Sequence, residues 1–171
     1  HSDNKHPHDV HDLRSALELL KTLPGEYVET DTEVDPHAEL SGVYRYVGAG
    51  GTCQRPTRKN GPVMVFNKIK GFHDISVAIG INGSRKRVSH FLNCPPEKLG
   101  HLLKDSGQNP ISPVLSQNNA VCQEVVHLAT DAGFDLRTLL PAPTNTEEDA
   151  GPYITMGLCY ASDPETHESD I

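Results

Sequence analysis

The side chains able to do chemistry are present but scattered along this 171-residue chain. The most suggestive carboxylate is Asp170, which opens a predicted strand after the acidic turn Asp163-Pro164-Glu165-Thr166. Hard divalent cations take such oxygens. A lone carboxylate at a hairpin edge serves equally well as a solubilising charge. His73 sits beside Asp74, but neighbours in a strand point to opposite faces, so adjacency alone builds no acid–base pair. His90 and His127 fall on predicted regular elements, where a structural histidine is the commoner outcome. Glu124 and His127 would share a face only in a helix. Cys53, Cys94, Cys122 and Cys159 form no C-x-x-C pair, so no structural zinc signature exists. Cys159 reads as a small core residue rather than a nucleophile. The chain carries no G-x-S-x-G, no H-E-x-x-H and no P-loop.

Two glycine-rich runs invite a phosphate. Gly48-Ala49-Gly50-Gly51 follows a predicted helix, whereas a dinucleotide loop follows a strand and opens a helix. It is read as a loop continuing into the basic turn Arg55 to Lys59. Asn82-Gly83-Ser84 lies between a predicted strand and a helix that opens with Arg85, Lys86 and Arg87. That order suits an anion, and it suits a plain strand-to-helix connection with basic surface residues. His1, His6, His8 and His11 could be a metal-binding tail. Without an apolar pattern to fix them, a disordered start or an expression remnant fits better.

The elements that must position these groups follow from periodicity. Asp12 is placed to cap a helix through Leu23, with Leu13, Ala16, Leu17, Leu20 and Leu23 on one stripe. Pro24-Gly25 ends it. Tyr27 to Thr32 reads as a strand. Asp35 is expected as N-cap and Pro36 as first residue of a second helix, running through Leu40, Val43, Tyr44 and Val47. Pro62 to Phe66 reads as a buried strand, and Phe72 to Ile81 as another. Pro95-Pro96 opens a helix bearing Leu99, Leu102 and Leu103. Ala120 to His127 alternates as a strand, Phe134 to Leu140 suits a short helix, and Pro141 to Ala150 a polar loop. Tyr153 to Tyr160 alternates as a further strand, and a second begins at Asp170.

These elements predict an α+β chain. Residues 1–11 form a tail, 12–105 a mixed α/β domain, 106–116 a linker rich in Gly, Pro, Ser and Asn, and 117–171 a second, strand-rich unit. The net charge of −8 argues against a nucleic-acid partner. No apolar run is long enough for a membrane span, and the polar N-terminus shows no signal peptide. A cytoplasmic protein with reduced thiols is expected.

Several stretches carry a family likeness. They are Asp12-Leu13-Arg14-Ser15 with its leucine stripe, Glu33-Val34-Asp35-Pro36, and Gly61-Pro62-Val63-Met64-Val65-Phe66-Asn67-Lys68-Ile69-Lys70-Gly71. Gly83-Ser84-Arg85-Lys86-Arg87, Gly151-Pro152-Tyr153-Ile154-Thr155-Met156-Gly157-Leu158 and Asp163-Pro164-Glu165-Thr166 belong with them. In order and spacing these resemble the UbiD-like decarboxylases from Asp12 onward. The likeness is greatest to the non-oxidative decarboxylases of hydroxylated aromatic acids such as gallate, protocatechuate, vanillate and 4-hydroxybenzoate.

The resemblance implies prenylated FMN with a divalent metal, usually Mn²⁺, and often K⁺. The flavin would sit in a split β-barrel domain that begins within residues 117–171. Thr155 and Met156 are the positions expected against the flavin. Asp170 stands where many members place a metal-binding asparagine, and an aspartate keeps the oxygen donor. The family's other metal ligands, a histidine and a glutamate, and its Glu–Arg–Glu catalytic set would lie beyond Ile171. The chain is therefore expected to be the N-terminal portion of such an enzyme and inactive alone. The resemblance also implies a hydroxyaromatic acid substrate, a flavin prenyltransferase as cofactor supplier, and a homo-oligomer of the full protein. The alternative is a non-catalytic binding or scaffold subunit that keeps only the N-terminal domain.

Overall fold

A computed structural model of the chain describes residues 9–52, 57, 59–116 and 120–171. His1 to His8 and most of the Arg55–Lys59 turn lie outside the described residues, as does Cys53. The chain opens on α1 (Leu13–Thr22), capped as the sequence predicts. Ser15 N donates to Asp12 Oδ1 at 2.7 Å, and the Ser15 hydroxyl lies 3.0 Å from the Asp12 backbone N–H, which donates to it. This reciprocal pair satisfies donors that the helix start leaves unpaired. The buried face of α1 carries Ala16 and Leu20.

The sheet is small and ordered β1–β2–β3, with β1 at Tyr27–Thr30, β2 at Val63–Phe66 and β3 at Val77–Ile79. β1 runs parallel to β2 in the register Tyr27↔Val63 to Thr30↔Phe66. β3 pairs antiparallel to β2, Met64 opposite Ile79. Every residue of the central strand is buried, which explains its unbroken apolar run. Side-chain alternation then divides the core in two. Met64 and Phe66 pack with Val34, Leu40 and Ile69 on one face. Val63 and Val65 pack with Leu20 and Ile81 on the other.

α2 (Glu39–Gly48) covers the first face and α3 (Arg85–Phe91), with Phe91, backs onto the second. α2 starts later than Asp35-Pro36 predicts, because its N-cap is Ala38, at φ 64° and ψ −36°. Asp35 caps the preceding turn instead, accepting from His37 N at 2.9 Å, while its own N–H donates to Glu39 Oε2 at 2.7 Å. The predicted strand from Phe72 shrinks to β3. Left-handed Gly71 and Asp74 bend the chain before it, and Gly80 at φ 87° ends it. A Cβ on Gly80 would collide with the Tyr44 ring, so the turn into α3 requires glycine. A 3₁₀ turn at Pro96–Lys98 leads into α4 (Leu99–Gln108), of which only Leu99 is buried.

The remainder is open. Residues 110–116 have no regular structure. The strand expected over Ala120 to His127 is instead a 3₁₀ turn at Val121–Gln123, since no strand among the described residues offers it a ladder. α5 is the short helix Leu136–Leu139, capped by Asp135. Tyr153 to Tyr160 is not a strand either. Among the described residues beyond 110, strand pairing is β4 (Ala161–Ser162) with β5 (Ser169–Asp170), besides a single bridge from Thr144 back to His37. The fold is thus a mixed α+β unit followed by an extended segment, and no barrel closes among the described residues. No helix among them is long and apolar enough to cross a membrane.

Candidate functional site

The Gly83–Arg87 region does not offer its arginine to an anion. Ser84 caps α3, accepting from Arg87 N at 3.3 Å. The Arg87 side chain turns inward and is fully buried. Its guanidinium meets Glu26 Oε2 at 3.1 Å through Nε and donates to the backbone carbonyls of Gly80 and Gly61. One cation thereby joins the edge of β1, the start of β2 and the end of β3. Such a group is committed to the fold, because removing any acceptor would strand a buried charge. Arg85 lies outside this cluster and donates to Pro96 O at 3.1 Å.

His127 stacks on Phe134, ring centroids 5.6 Å apart, which gives it a structural contact. Cys94 is half-buried, Cys122 and Cys159 are exposed, and all three are free thiols. Among the described residues no group of three or more His, Cys, Asp or Glu converges as a metal site.

The cofactor-side candidates lie on the C-terminal segment. Thr155 and Met156 form an exposed turn between Ile154 and Gly157. The backbone two residues earlier is fixed, since Tyr153 N donates to Pro143 O at 3.0 Å. Asp170 sits in β5 opposite Ala161, exposed, with Oδ1 accepting from Ile171 N at 2.8 Å. The hairpin that carries it is closed by its own hydrogen bonds. Asp163 Oδ1 accepts from Glu165 N and Thr166 N, each at 2.8 Å, and Ser162 Oγ meets Ser169 Oγ at 2.7 Å. The backbone N–H of Thr166, then that of Glu165, holds the Asp163 carboxyl below the ordinary range. Asp163 is therefore a turn residue, and Asp170 stands apart from it as an exposed carboxylate in β5, alongside the exposed Glu165 and Glu168 of the turn.

A divalent cation needs about six oxygen donors. Asp170 offers one carboxylate, and the described residues add no converging partners. An exposed turn at Thr155 and Met156 likewise encloses no flavin. The residues present do not make a complete metal or flavin site. The arrangement is one edge of a site: a carboxylate on a short hairpin and an apolar turn tied to the preceding loop.

The sequence gives no signal for the loop that does the tying. Thr144 is buried, and its N–H donates to Pro36 O at 3.1 Å, while Ala38 N donates to Thr144 O at 2.8 Å. The Pro-Ala-Pro run at 141–143 hints only at extended backbone. The site-side segment is thus fastened to the start of α2.

Comparison with known proteins places these features. Residues 18–106 match the 3-octaprenyl-4-hydroxybenzoate carboxy-lyase N-terminal domain. Residues 114–171 match the Rift-related domain of the same carboxy-lyase. The chain is 50% identical over 161 residues to gallate decarboxylase of Lactiplantibacillus plantarum, covering 94% of this chain and 33% of that protein. Its fold superposes on the apo structure of a 3,4-dihydroxybenzoic acid decarboxylase from Enterobacter cloacae with a TM-score of 0.82 at 51% identity, over 95% of this chain and 33% of that one. An evolved dimeric form of the UbiD-class enzyme HmfF from Pelotomaculum thermopropionicum, solved in complex with prFMN, matches with a TM-score of 0.74 at 26% identity, over 94% of this chain and 34% of that one. The chain spans about a third of the length of the relatives it matches.

Proposed function

The chain belongs to the UbiD family of carboxy-lyases, and from that premise we propose that it is the N-terminal part of a non-oxidative decarboxylase of hydroxylated aromatic acids. The observation that carries this reading is the 50% identity to gallate decarboxylase, sustained along 94% of the chain. The fold agrees, since the same residues superpose on a dihydroxybenzoic acid decarboxylase.

In the whole enzyme the cofactor is prenylated FMN, which supplies the electron sink for loss of CO₂. Thr155 and Met156 would lie against it, and Asp170 would give one oxygen to a divalent metal, Mn²⁺ in the first instance, with K⁺ as a further cation. The remaining ligands and the acid–base groups would come from chain outside these residues, so this segment alone is inactive. A flavin prenyltransferase would supply the cofactor, and the complete protein would be a cytoplasmic homo-oligomer. The HmfF complex with prFMN supports the cofactor assignment by family membership.

The test uses the complete gene product that contains this sequence. Loaded with prenylated FMN and Mn²⁺, it is expected to release CO₂ from gallate or protocatechuate, while the 171-residue chain alone does not. Turnover by the 171-residue chain would overturn the division of roles. A loaded complete protein that left every hydroxybenzoate intact would favour the scaffold reading.

A further inference from the structure

Beyond residue 110, only Pro141 and Thr144 are buried among the described residues. Both belong to the loop that meets the start of α2. The contact is a short parallel bridge, His37 opposite Thr144. It consists of Ala38 N donating to Thr144 O and Thr144 N donating to Pro36 O, with Ser41 Oγ donating to Asn145 Oδ1 at 2.7 Å alongside. The same loop holds Tyr153 through Pro143 O. A narrow, largely apolar cleft runs along the junction, walled by Pro36, Phe72, Leu140 and Ile154.

The residue that donates one of the bridge's two backbone bonds is strained. Ala38 has φ 64° and ψ −36°, and Glu39 N donates across it to His37 O at 2.8 Å. That is a γ-turn of the positive-φ kind, rare and strained for any residue with a Cβ. Such a conformation persists only where its surroundings over-determine it. Here Asp35 Oδ1 grips His37 N, Glu39 Oε2 grips Asp35 N, Gly42 N donates to Ala38 O, and buried Val34 and Leu40 anchor both sides. The strain therefore falls on the residue whose N–H makes the bond between segments.

We propose that Pro36–Ala38 and Pro143–Asn145 form a strained latch, in which Ala38 keeps the bridge weaker than its hydrogen bonds alone would make it. The latch ties the segment bearing Thr155 and Met156 to the N-terminal unit while leaving it able to release. Ala38 and Thr144 are positioning residues for that segment. Their meaning for the flavin rests on the function proposed above, whereas the latch itself does not.

Hydrogen exchange at single amides tests it. Glycine adopts positive φ without penalty, so Ala38→Gly is expected to slow exchange of the Thr144 and Tyr153 amides together, by roughly fivefold. Ala38→Val should accelerate both, as should Asn145→Ala, which carries the test if the valine variant does not fold. Amides in the middle of α2 should not change. The latch is overturned if Ala38→Gly leaves Thr144 exchange unchanged or faster. It is also overturned if α2 is protected to the same degree, which would make the effect ordinary helix capping. In the complete protein loaded with flavin, Ala38→Gly should shift the flavin absorption band. Exchange that responds without a spectral shift would keep the latch and remove Thr155 and Met156 from the flavin.

Discussion

Between Leu13 and Gln108 two clusters of apolar side chains form on the two faces of one small sheet. From Ile111 onward the same residue types face outward. Ile111, Val114, Leu115, Val121 and Leu158 are each more than four-fifths exposed, against fully buried Leu20, Leu40 and Val63. The difference is not one of strand signal alone. Val63–Phe66 and Tyr153–Tyr160 both read as strands, but the first lies between two others while the second has no ladder to join. Hydrophobic alternation specifies a strand only where partners exist to accept its backbone groups.

The sharpest way to break that contrast is to attack the group that holds the sheet's edges together. Arg87→Met removes the buried partner of half-buried Glu26, leaving it only the exposed Lys86 at 3.8 Å, and leaves the Gly61 and Gly80 carbonyls without their Arg87 donor. Breaking a buried pair in this way costs about 3–5 kcal/mol. Urea titration should show a large loss in the midpoint of the main transition. If the midpoint barely moves, Arg87 is not the clamp described above.

Next in size is a matched pair of truncations. Leu40→Ala empties a fully buried position and should cost about 2–5 kcal/mol. Leu158→Ala, at a position 86% exposed, should stay within about 0.5 kcal/mol in this chain. Equal costs, read by the same titration, would show that residues beyond 110 belong to a common core.

Much of the first region is legible in the sequence because its signals are local. The Asp12 cap, Ala16 and Leu20 of the leucine stripe, the apolar run of β2 and the helix start after Asn82-Gly83-Ser84 all stand in the structure where the pattern puts them. Three features are not legible, each for a physical reason. Asp35-Pro36 carries every sign of a helix start, but a bond from a residue more than a hundred positions away draws Ala38 into a γ-turn and delays α2. Arg87 looks like a surface cation in a basic run. The available signal is its spacing of four from Phe91, which places both on the core-facing side of α3. The strands expected at Ala120 to His127 and Tyr153 to Tyr160 depend on pairing that no local pattern encodes. The candidate site was legible only as a family likeness, since Thr155, Met156 and Asp170 are spread over an exposed segment with no converging chemistry.

The smallest effect is a pH response confined to the second region. Asp135 caps α5, and the Arg137 guanidinium, helped by the Arg137 backbone N–H, holds its carboxyl down at about 2. The Arg137 Nη2 to Asp135 Oδ2 distance is 2.7 Å, but the arginine side chain is 83% exposed, so salt screens the pair. A carboxyl whose folded pKa lies below its unfolded value, about 3.9, stabilises α5 fully above that value. The contribution is lost as the pH falls through about 2. Carbon-detected NMR of the Asp135 carboxyl should therefore titrate near 2, with the α5 amide shifts following it and the β2 amides unmoved. Arg137→Gln should raise that midpoint without restoring the ordinary value, because the backbone N–H at position 137 still donates to Asp135. If α5 and the sheet lose structure at the same pH, the two regions unfold as one. The contrast between a packed first region and an open second one would then fail.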